Sequence, residues 1–119
     1  MSDPVEALRA ICLALPGAEE RLSHGSPSWF AGKGKCFATL DDHHHGAAHL
    51  AVWLPLPDGM QAQLLAEAPE WFFRPPYVGH KGWVGLRLDV DPDPAQVAAL
   101  VRMAFLHVAG ARLRRLADV

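Results

Sequence analysis

Hydrophobic and polar positions follow two different periods along this chain, and each period predicts one type of element. Near the start, apolar residues recur at the spacing of one helical face: Val5, Leu8, Cys12 and Leu15. Near the other end the same spacing returns: Val97, Leu100, Val101, Ala104, Phe105 and Val108. Asp3 with Pro4, and Asp93 with Pro94, precede the two stripes and suit helix N-termini. We therefore predict a helix at each end, the second with a break near Gly110.

Between these helices the pattern favours strands. Trp29 with Phe30, and then Cys36 to Leu40, form two β-type runs around AGKGK, whose glycines suit a hairpin loop. The uniformly apolar HLAVWLPLP predicts a central strand. PDGMQAQLLAEAPE predicts a short helix that ends at Pro69. GWVGLRLDVD alternates with a period of two, which is typical of a half-buried antiparallel strand.

The order of these elements predicts the architecture. Helix, three strands, helix, one or two strands and helix indicate a two-layer α+β fold, in which an antiparallel sheet is backed by N-terminal and C-terminal helices. The 119 residues suit a single domain over residues 1–119. Glu19, Glu20 and Arg21 are expected in a solvated turn after the first helix.

Charge and cysteine content narrow the function. There are 13 acidic residues against 11 Lys and Arg, a net charge of −2, so any contact with a polyanion requires a local patch. No apolar run reaches the roughly 20 residues that span a bilayer. Cys12 and Cys36 lie in apolar segments and are expected to be buried thiols in a reducing compartment. With no signal-peptide pattern at the start, we predict a cytoplasmic protein.

The stretch FFRPPYVGHKGW, residues 72–83, holds the densest group of candidate binding residues. Pro75 and Pro76 stiffen it, and we expect an outward loop. Its cations and aromatics suit nucleic acid: Arg74, His80, Lys81 and, just beyond, Arg87 for phosphates, with Tyr77 and Trp83 for stacking. With four phosphate contacts, a plot of the logarithm of the binding constant against the logarithm of the salt concentration would have a slope of about −3.6. Alternatively, the aromatic side chains pack against one end of the core and the cations remain solvated.

Four stretches carry a family resemblance: LALPGAEE, SHGSPSWFAGKGKCFATL, DDHHH and FFRPPYVGHKGWVGLRLD. Over nearly its whole length the chain resembles the MmcQ/YjbR family. The resemblance implies the CyaY-like, "double wing" arrangement of an antiparallel sheet backed by helices. It also implies DNA binding, the label commonly given to members, and brings no catalytic residue set. Gly82 departs from many relatives, which often have a large polar residue before the tryptophan.

Two other clusters contain residue types that metal sites and catalytic sites use. Asp41 and Asp42 precede His43–His45, and these are residue types that bind zinc, nickel and copper. Neighbours on an extended segment point to opposite faces, so a closed site would need a further ligand such as His24 or His49. We predict a solvated loop there and no metal. SHGSPS is expected to be a turn, because serine beside histidine in sequence does not supply a catalytic geometry.

The sequence therefore predicts a non-enzymatic protein, without a cofactor, that binds double-stranded DNA through a local basic and aromatic surface. One alternative is a module for a small ligand or a protein, with a pocket between the FFRPPYVGHKGW loop and the final helix. Another is a metal-dependent protein built on the DDHHH loop.

Overall fold

A six-stranded antiparallel sheet and four helices make up the part of the chain that the computed structural model describes, residues 3–42 and 50–118. In chain order the elements are α1 (Pro4–Leu13), β1 (Ala18–Ser23), β2 (Ser26–Ala31), β3 (Cys36–Asp42), β4 (Leu50–Pro55), α2 (Met60–Glu67), β5 (Phe72–Phe73), β6 (Trp83–Arg87), α3 (Pro94–Val108) and α4 (Ala111–Ala117). A 3-10 turn, Gly79–Lys81, precedes β6. The predicted two-layer α+β fold is confirmed.

The strands lie in the order β1-β2-β3-β4-β6-β5, and each neighbouring pair is antiparallel. The apolar strand β4 lies between β3 and β6, as its composition predicted. No helix in the described ranges is both long and apolar enough to cross a bilayer.

Both long helices begin at the predicted caps. The Asp3 carboxylate accepts a hydrogen bond from the Val5 amide at 2.9 Å, and Asp93 accepts one from the Ala95 amide at 3.0 Å. Each cap satisfies an amide that has no partner inside the first helical turn. The predicted break is also confirmed, since Gly110 is extended at φ −70° and ψ 168° and separates α3 from α4.

The core lies between the helices and one face of the sheet. Helix α3 packs on β3 and β4, and α1 packs on α3 and β1. Phe37 of β3 meets Phe105 of α3 edge to face, with ring centroids 5.2 Å apart. Phe37 is the extra residue of a β-bulge, because Trp29 pairs with Ala38 whereas Phe30 pairs with Cys36. Burying each ring of this size stabilises the fold by roughly 1.5–3 kcal/mol.

The expected turn at Glu19–Arg21 is wrong, because these residues belong to strand β1. This strand pairs with β2 along its whole length, from Ala18 opposite Ala31 to Ser23 opposite Ser26. Its polar side chains have partners on the strand beside it: the Arg21 guanidinium lies 4.0 Å from the centre of the Phe30 ring. Side-chain contacts with β2 stabilise β1. The strand lacks the alternation of apolar residues that would have predicted it.

Candidate functional site

The face of the sheet opposite the core carries a row of side chains from five strands. Residues paired directly across antiparallel strands project from the same face. The register places five of them in one row: Ser28, Thr39, Trp53, Gly85 and Phe73. Asp41, Ala51 and Arg87 form the neighbouring row on this face. Polar and aromatic groups thus meet on the side of the sheet that the long helices do not cover.

Residues 74–82 form a stiff loop at one end of this face. The Gly79 amide donates to the Pro75 carbonyl at 3.0 Å, and the Val78 amide donates to the Pro76 carbonyl at 2.7 Å. These two bonds close the chain tightly around Tyr77, which adopts a left-handed backbone with φ 68°. Tyr77 is 70% exposed at this position. The predicted outward, proline-stiffened loop is confirmed.

Two side chains hold the loop in place. Gln61 of α2 donates from Nε2 to the Gly79 carbonyl at 2.8 Å and to the Trp83 carbonyl at 2.5 Å. Arg74 packs its aliphatic stem on Gly79, so closely that a Cβ at Gly79 would lie 2.5 Å from Arg74 Cγ. The loop is therefore fixed at both ends of the 3-10 turn.

A cleft of about 400 Å³ lies between this loop and the sheet. The loop contributes Tyr77 and Val78, and β6 contributes Trp83. The opposite wall and floor come from the first four strands and the β1–β2 turn: Ser23, His24, Ser26, Cys36, Thr39, Leu40, Asp41 and Trp53. Three aromatic side chains thus surround a floor that carries several polar groups.

The floor is well ordered by its own contacts. Asp41 is 1% exposed and Trp53 is 5% exposed. Thr39 Oγ1 lies 3.2 Å from Ser28 Oγ and 3.3 Å from Cys36 Sγ, so the three side chains form a hydrogen-bonded chain. Burial raises the pKa of the Cys36 thiol, although the hydrogen bond from Thr39 opposes the shift. The protonated thiol is consequently favoured at neutral pH.

The structure separates the six residues predicted to bind nucleic acid into three groups. Arg74, His80 and Lys81 are exposed on the loop, and none of the ion pairs between described residues involves them. Tyr77 and Trp83 line the cleft.

Arg87 forms the third group, because acceptors beside it occupy its guanidinium. Nε donates to Asp89 at 3.1 Å, and an Nη donates to the Glu70 carbonyl at 3.3 Å. The carboxylate of Asp89 offsets the charge of this guanidinium and competes with a phosphate for its donors.

The predicted metal-ligand run falls mostly outside the described part of the chain, which omits His43–His45 and His49. Over residues 3–42 and 50–118, no group of three or more His, Cys, Asp or Glu side chains is arranged to hold a metal ion. Asp41 and His24 both line the cleft, and His24 lies in the β1–β2 turn with φ 51°. The turn predicted for SHGSPS is confirmed only at His24 and Gly25, because Ser23 ends β1 and Ser26–Ser28 belong to β2.

Comparison with known proteins identifies the family. The family model named YjbR matches residues 13–107. This match spans most of the chain, from the end of α1 to the last turn of α3. The chain belongs to the YjbR family.

A solved structure shows the same fold. Protein DR2400 of Deinococcus radiodurans, described as a DUF419 domain, superposes with a TM-score of 0.75 at 19% sequence identity, over 100% of this chain and 93% of that one. No curated protein matches the chain significantly.

The YjbR fold places the cleft differently from the pocket predicted beside the loop. The sequence predicted a pocket between the loop and the final helix, and this prediction is wrong. The sheet forms the side of the cleft that faces the loop, and no residue of α3 or α4 lines the cleft. Helix α3 packs on the opposite face of β3 and β4. The loop therefore has a pocket beside it, but one that opens on the sheet.

Sequence reasoning missed most of the cleft floor in this YjbR-family chain. Thr39 and Asp41 occupy alternate positions of strand β3, which is the signal that could have placed them together on one face. Trp53 sits in the uniformly apolar β4, where the side chain gives no sign of which face it occupies. Thr39, Asp41 and Trp53 come together only through the register between β3 and β4.

Proposed function

We propose that this protein is a non-enzymatic binding protein whose cleft holds a small organic ligand. The observation that supports this is the cleft itself, about 400 Å³ between a fixed loop and a fixed sheet. Sites for small molecules are commonly concave, about 300–1,000 Å³ in volume, and lined by aromatic side chains with a few polar groups. Tyr77, Trp83 and Trp53 are the aromatic side chains of this cleft, and Thr39 and Asp41 are among its polar groups.

Binding is favoured over catalysis by the state of the groups in the cleft. Cys36 is the strongest potential nucleophile there, but burial raises its pKa and keeps the sulfur protonated. Its hydrogen-bond partners are the Thr39 hydroxyl and the Ala38 carbonyl, neither of which is a general base. The thiol therefore resembles a structural group and not an activated one.

The test is a thermal-shift screen of a broad metabolite library with three proteins. In Thr39→Phe a ring from β3 fills the cleft, and in Gln63→Phe the same ring is added on the exposed side of α2. A ligand at 100 times its dissociation constant stabilises the folded state by about 2.7 kcal/mol. We expect compounds that raise the melting temperature of the wild type and of Gln63→Phe, but not that of Thr39→Phe.

Two results would reject the cleft as a binding site. One is a complete library without any stabilising compound. The other is a set of compounds that stabilise Thr39→Phe as much as Gln63→Phe, since they would then bind elsewhere.

Duplex DNA is a second candidate, and the exposed cations of the loop favour it. Arg74, His80 and Lys81 lie within eight residues of one another on a rigid segment, next to the 70% exposed ring of Tyr77. The pairing of Arg87 with Asp89 reduces the number of contacts expected from the sequence. Two permanent charges, on Arg74 and Lys81, would give a salt slope of about −1.8. Such a small patch predicts weak affinity, which is why we place DNA second.

A salt-resolved titration of a labelled duplex tests this candidate. Changing Arg74 and Lys81 together to Glu should abolish binding. The matched control changes Arg112 and Arg115 of α4 to Glu, which alters the net charge by the same amount on exposed residues elsewhere. Equal losses in the two double variants, or affinity indifferent to salt, would exclude a specific loop contact.

A further inference from the structure

The floor of the cleft carries an acidic side chain, Asp41. Among the lining residues that fall within the described ranges 3–42 and 50–118, Asp41 is the only Asp, Glu, Lys or Arg. Its side chain is 1% exposed, and it projects from the same face of the sheet as Thr39 and Arg87. The other polar lining groups are hydroxyls, a thiol and the His24 imidazole. The described part of the lining therefore carries one carboxyl group and no lysine or arginine.

The aromatic side chains of the cleft also favour a positively charged ligand. Trp53, Trp83 and Tyr77 all line this one cavity. The face of an aromatic ring attracts a cation by about 0.5–2 kcal/mol, and tryptophan does so most strongly. The same rings provide flat apolar surface for the body of a ligand. An ammonium group on an apolar body satisfies both features at once.

The cations on the loop favour an anionic ligand, but solvent weakens their effect. Arg74 and Lys81 are exposed and do not line the cleft, so water and salt screen them over a Debye length of about 8 Å. Opposite charges about 4 Å apart attract by roughly 4 kcal/mol at the effective dielectric of a protein site and by about 1 kcal/mol in water. The buried carboxylate therefore decides the sign of the preferred ligand.

We propose that the cleft selects compounds that carry an ammonium or amidinium group on a flat or apolar body, with the cation placed towards Asp41. This inference rests on the proposed ligand-binding function and names the ligand class.

Three probes of one shape test the class: phenethylamine, 2-phenylethanol and phenylacetate. They share the ring and the two-carbon chain, and at pH 7 they differ in charge. Binding is followed by NMR chemical-shift perturbation of the labelled protein. We expect phenethylamine to bind at least tenfold more tightly than 2-phenylethanol, phenylacetate to bind most weakly, and the perturbed amides to include those of Thr39, Trp53 and Val78.

Two variants test whether the preference for the amine arises from the cleft. Asp41→Asn keeps the shape of the side chain and should bring the amine and the alcohol to within about twofold of each other. Since Asp41 is buried and this change can disturb folding, Tyr77→Asn provides an independent readout at an exposed position. Asparagine tolerates the left-handed backbone found at Tyr77, so this variant removes the ring alone. We expect it to weaken phenethylamine binding about three- to tenfold.

The outcomes separate this inference from the proposed function. Equal or tighter binding of the alcohol or the acetate, failure of all three probes to bind, or an amine preference that persists in Asp41→Asn would overturn the cation preference. A neutral or anionic library compound that stabilises the wild type but not Thr39→Phe would leave the cleft as a ligand site while excluding this ligand class. A tighter acetate would point instead to Arg74 and Lys81 as the determinants.

Discussion

The indole N–H of Trp29 donates a hydrogen bond to the Glu20 carboxylate, with 3.0 Å between Nε1 and Oε1. Trp29 is fully buried, and Glu20 lies directly opposite it on the edge strand β1. The same carboxylate oxygen accepts a hydrogen bond from Arg9 of α1 at 2.8 Å. One carboxylate thus connects the first helix, the edge strand and the largest side chain of the core.

This arrangement predicts different effects for two substitutions at Glu20. Glu20→Gln retains an acceptor for the indole N–H, whereas Glu20→Ala leaves that buried donor unsatisfied, at a cost of about 1–3 kcal/mol. Urea denaturation should therefore show a larger loss of unfolding free energy in Glu20→Ala than in Glu20→Gln. Glu19→Ala, next to it on β1, is the control and should change stability by less than about 0.5 kcal/mol. Equal losses at Glu19 and Glu20 would contradict a specific role for the Trp29 contact.

Burial of Cys12 predicts a loss of stability at alkaline pH. Burial raises the pKa of this thiol far above its ordinary value of 9.0. The unfolded chain releases the proton above pH 9 while the folded chain retains it, so the stabilisation is complete below pH 9 and declines as pH rises towards the folded-state pKa. The expected slope is about 1.4 kcal/mol per pH unit for one thiol.

The measurement is chemical denaturation at several pH values between 7.5 and 10.5. Cys12→Ala has no titrating group at this position, and it should therefore lose less stability than the wild type over this interval, whatever its stability at pH 7.5. Parallel pH profiles for the two proteins would show that the thiol ionises equally in the folded and unfolded states.

The fold was largely predictable because most of its elements carry strong local signals. The caps at Asp3 and Asp93 and the apolar stripe of α3 follow from residues near one another in sequence. Strand β1 was missed because AEERLS has no apolar alternation, and its position depends on pairing with β2. Strand β5 has two residues, too few for any period to appear. Elements defined by their partners cannot be found from their own sequence.

The candidate site was predictable only in part. The loop and its exposed cations follow from the prolines and glycines of residues 74–82. The ion pair between Arg87 and Asp89 links residues two apart, which lie on one side of an extended segment, so the sequence contained that signal. The meeting of Asp41, Thr39 and Trp53 with Tyr77 required the sheet register and the course of the loop, and neither is written in a local pattern.

The close approach of Phe73 to Gly85 predicts that a methyl group at Gly85 will destabilise the sheet. A Cβ there would lie between 2.3 and 2.6 Å from three atoms of the Phe73 ring. Gly85→Ala should therefore cost roughly 1–3 kcal/mol in urea denaturation, as overpacking typically does.

The double variant with Phe73→Leu is the control for that clash. The smaller side chain makes room for the methyl group, so the two changes together should cost at least about 0.5 kcal/mol less than their sum. Additive losses would show that Gly85 is required for a reason other than the ring of Phe73.

The two hydrogen bonds from Gln61 predict that one side chain of α2 controls the order of the loop. Gln61→Leu conserves most of the volume but removes the donors to the carbonyls of Gly79 and Trp83. The loss should be about 1–3 kcal/mol, since each bond contributes about 0.5–1.5 kcal/mol. Amide exchange at Lys81 and Gly82 should become faster, because their hydrogen bonds close the 3-10 turn that Gln61 holds. Gln63→Leu, exposed on the same helix, should leave exchange at both amides unchanged. If the two leucine variants gave the same exchange rates, the loop would be held by its own prolines and the packing of Arg74 on Gly79, and the shape of the cleft would be independent of α2.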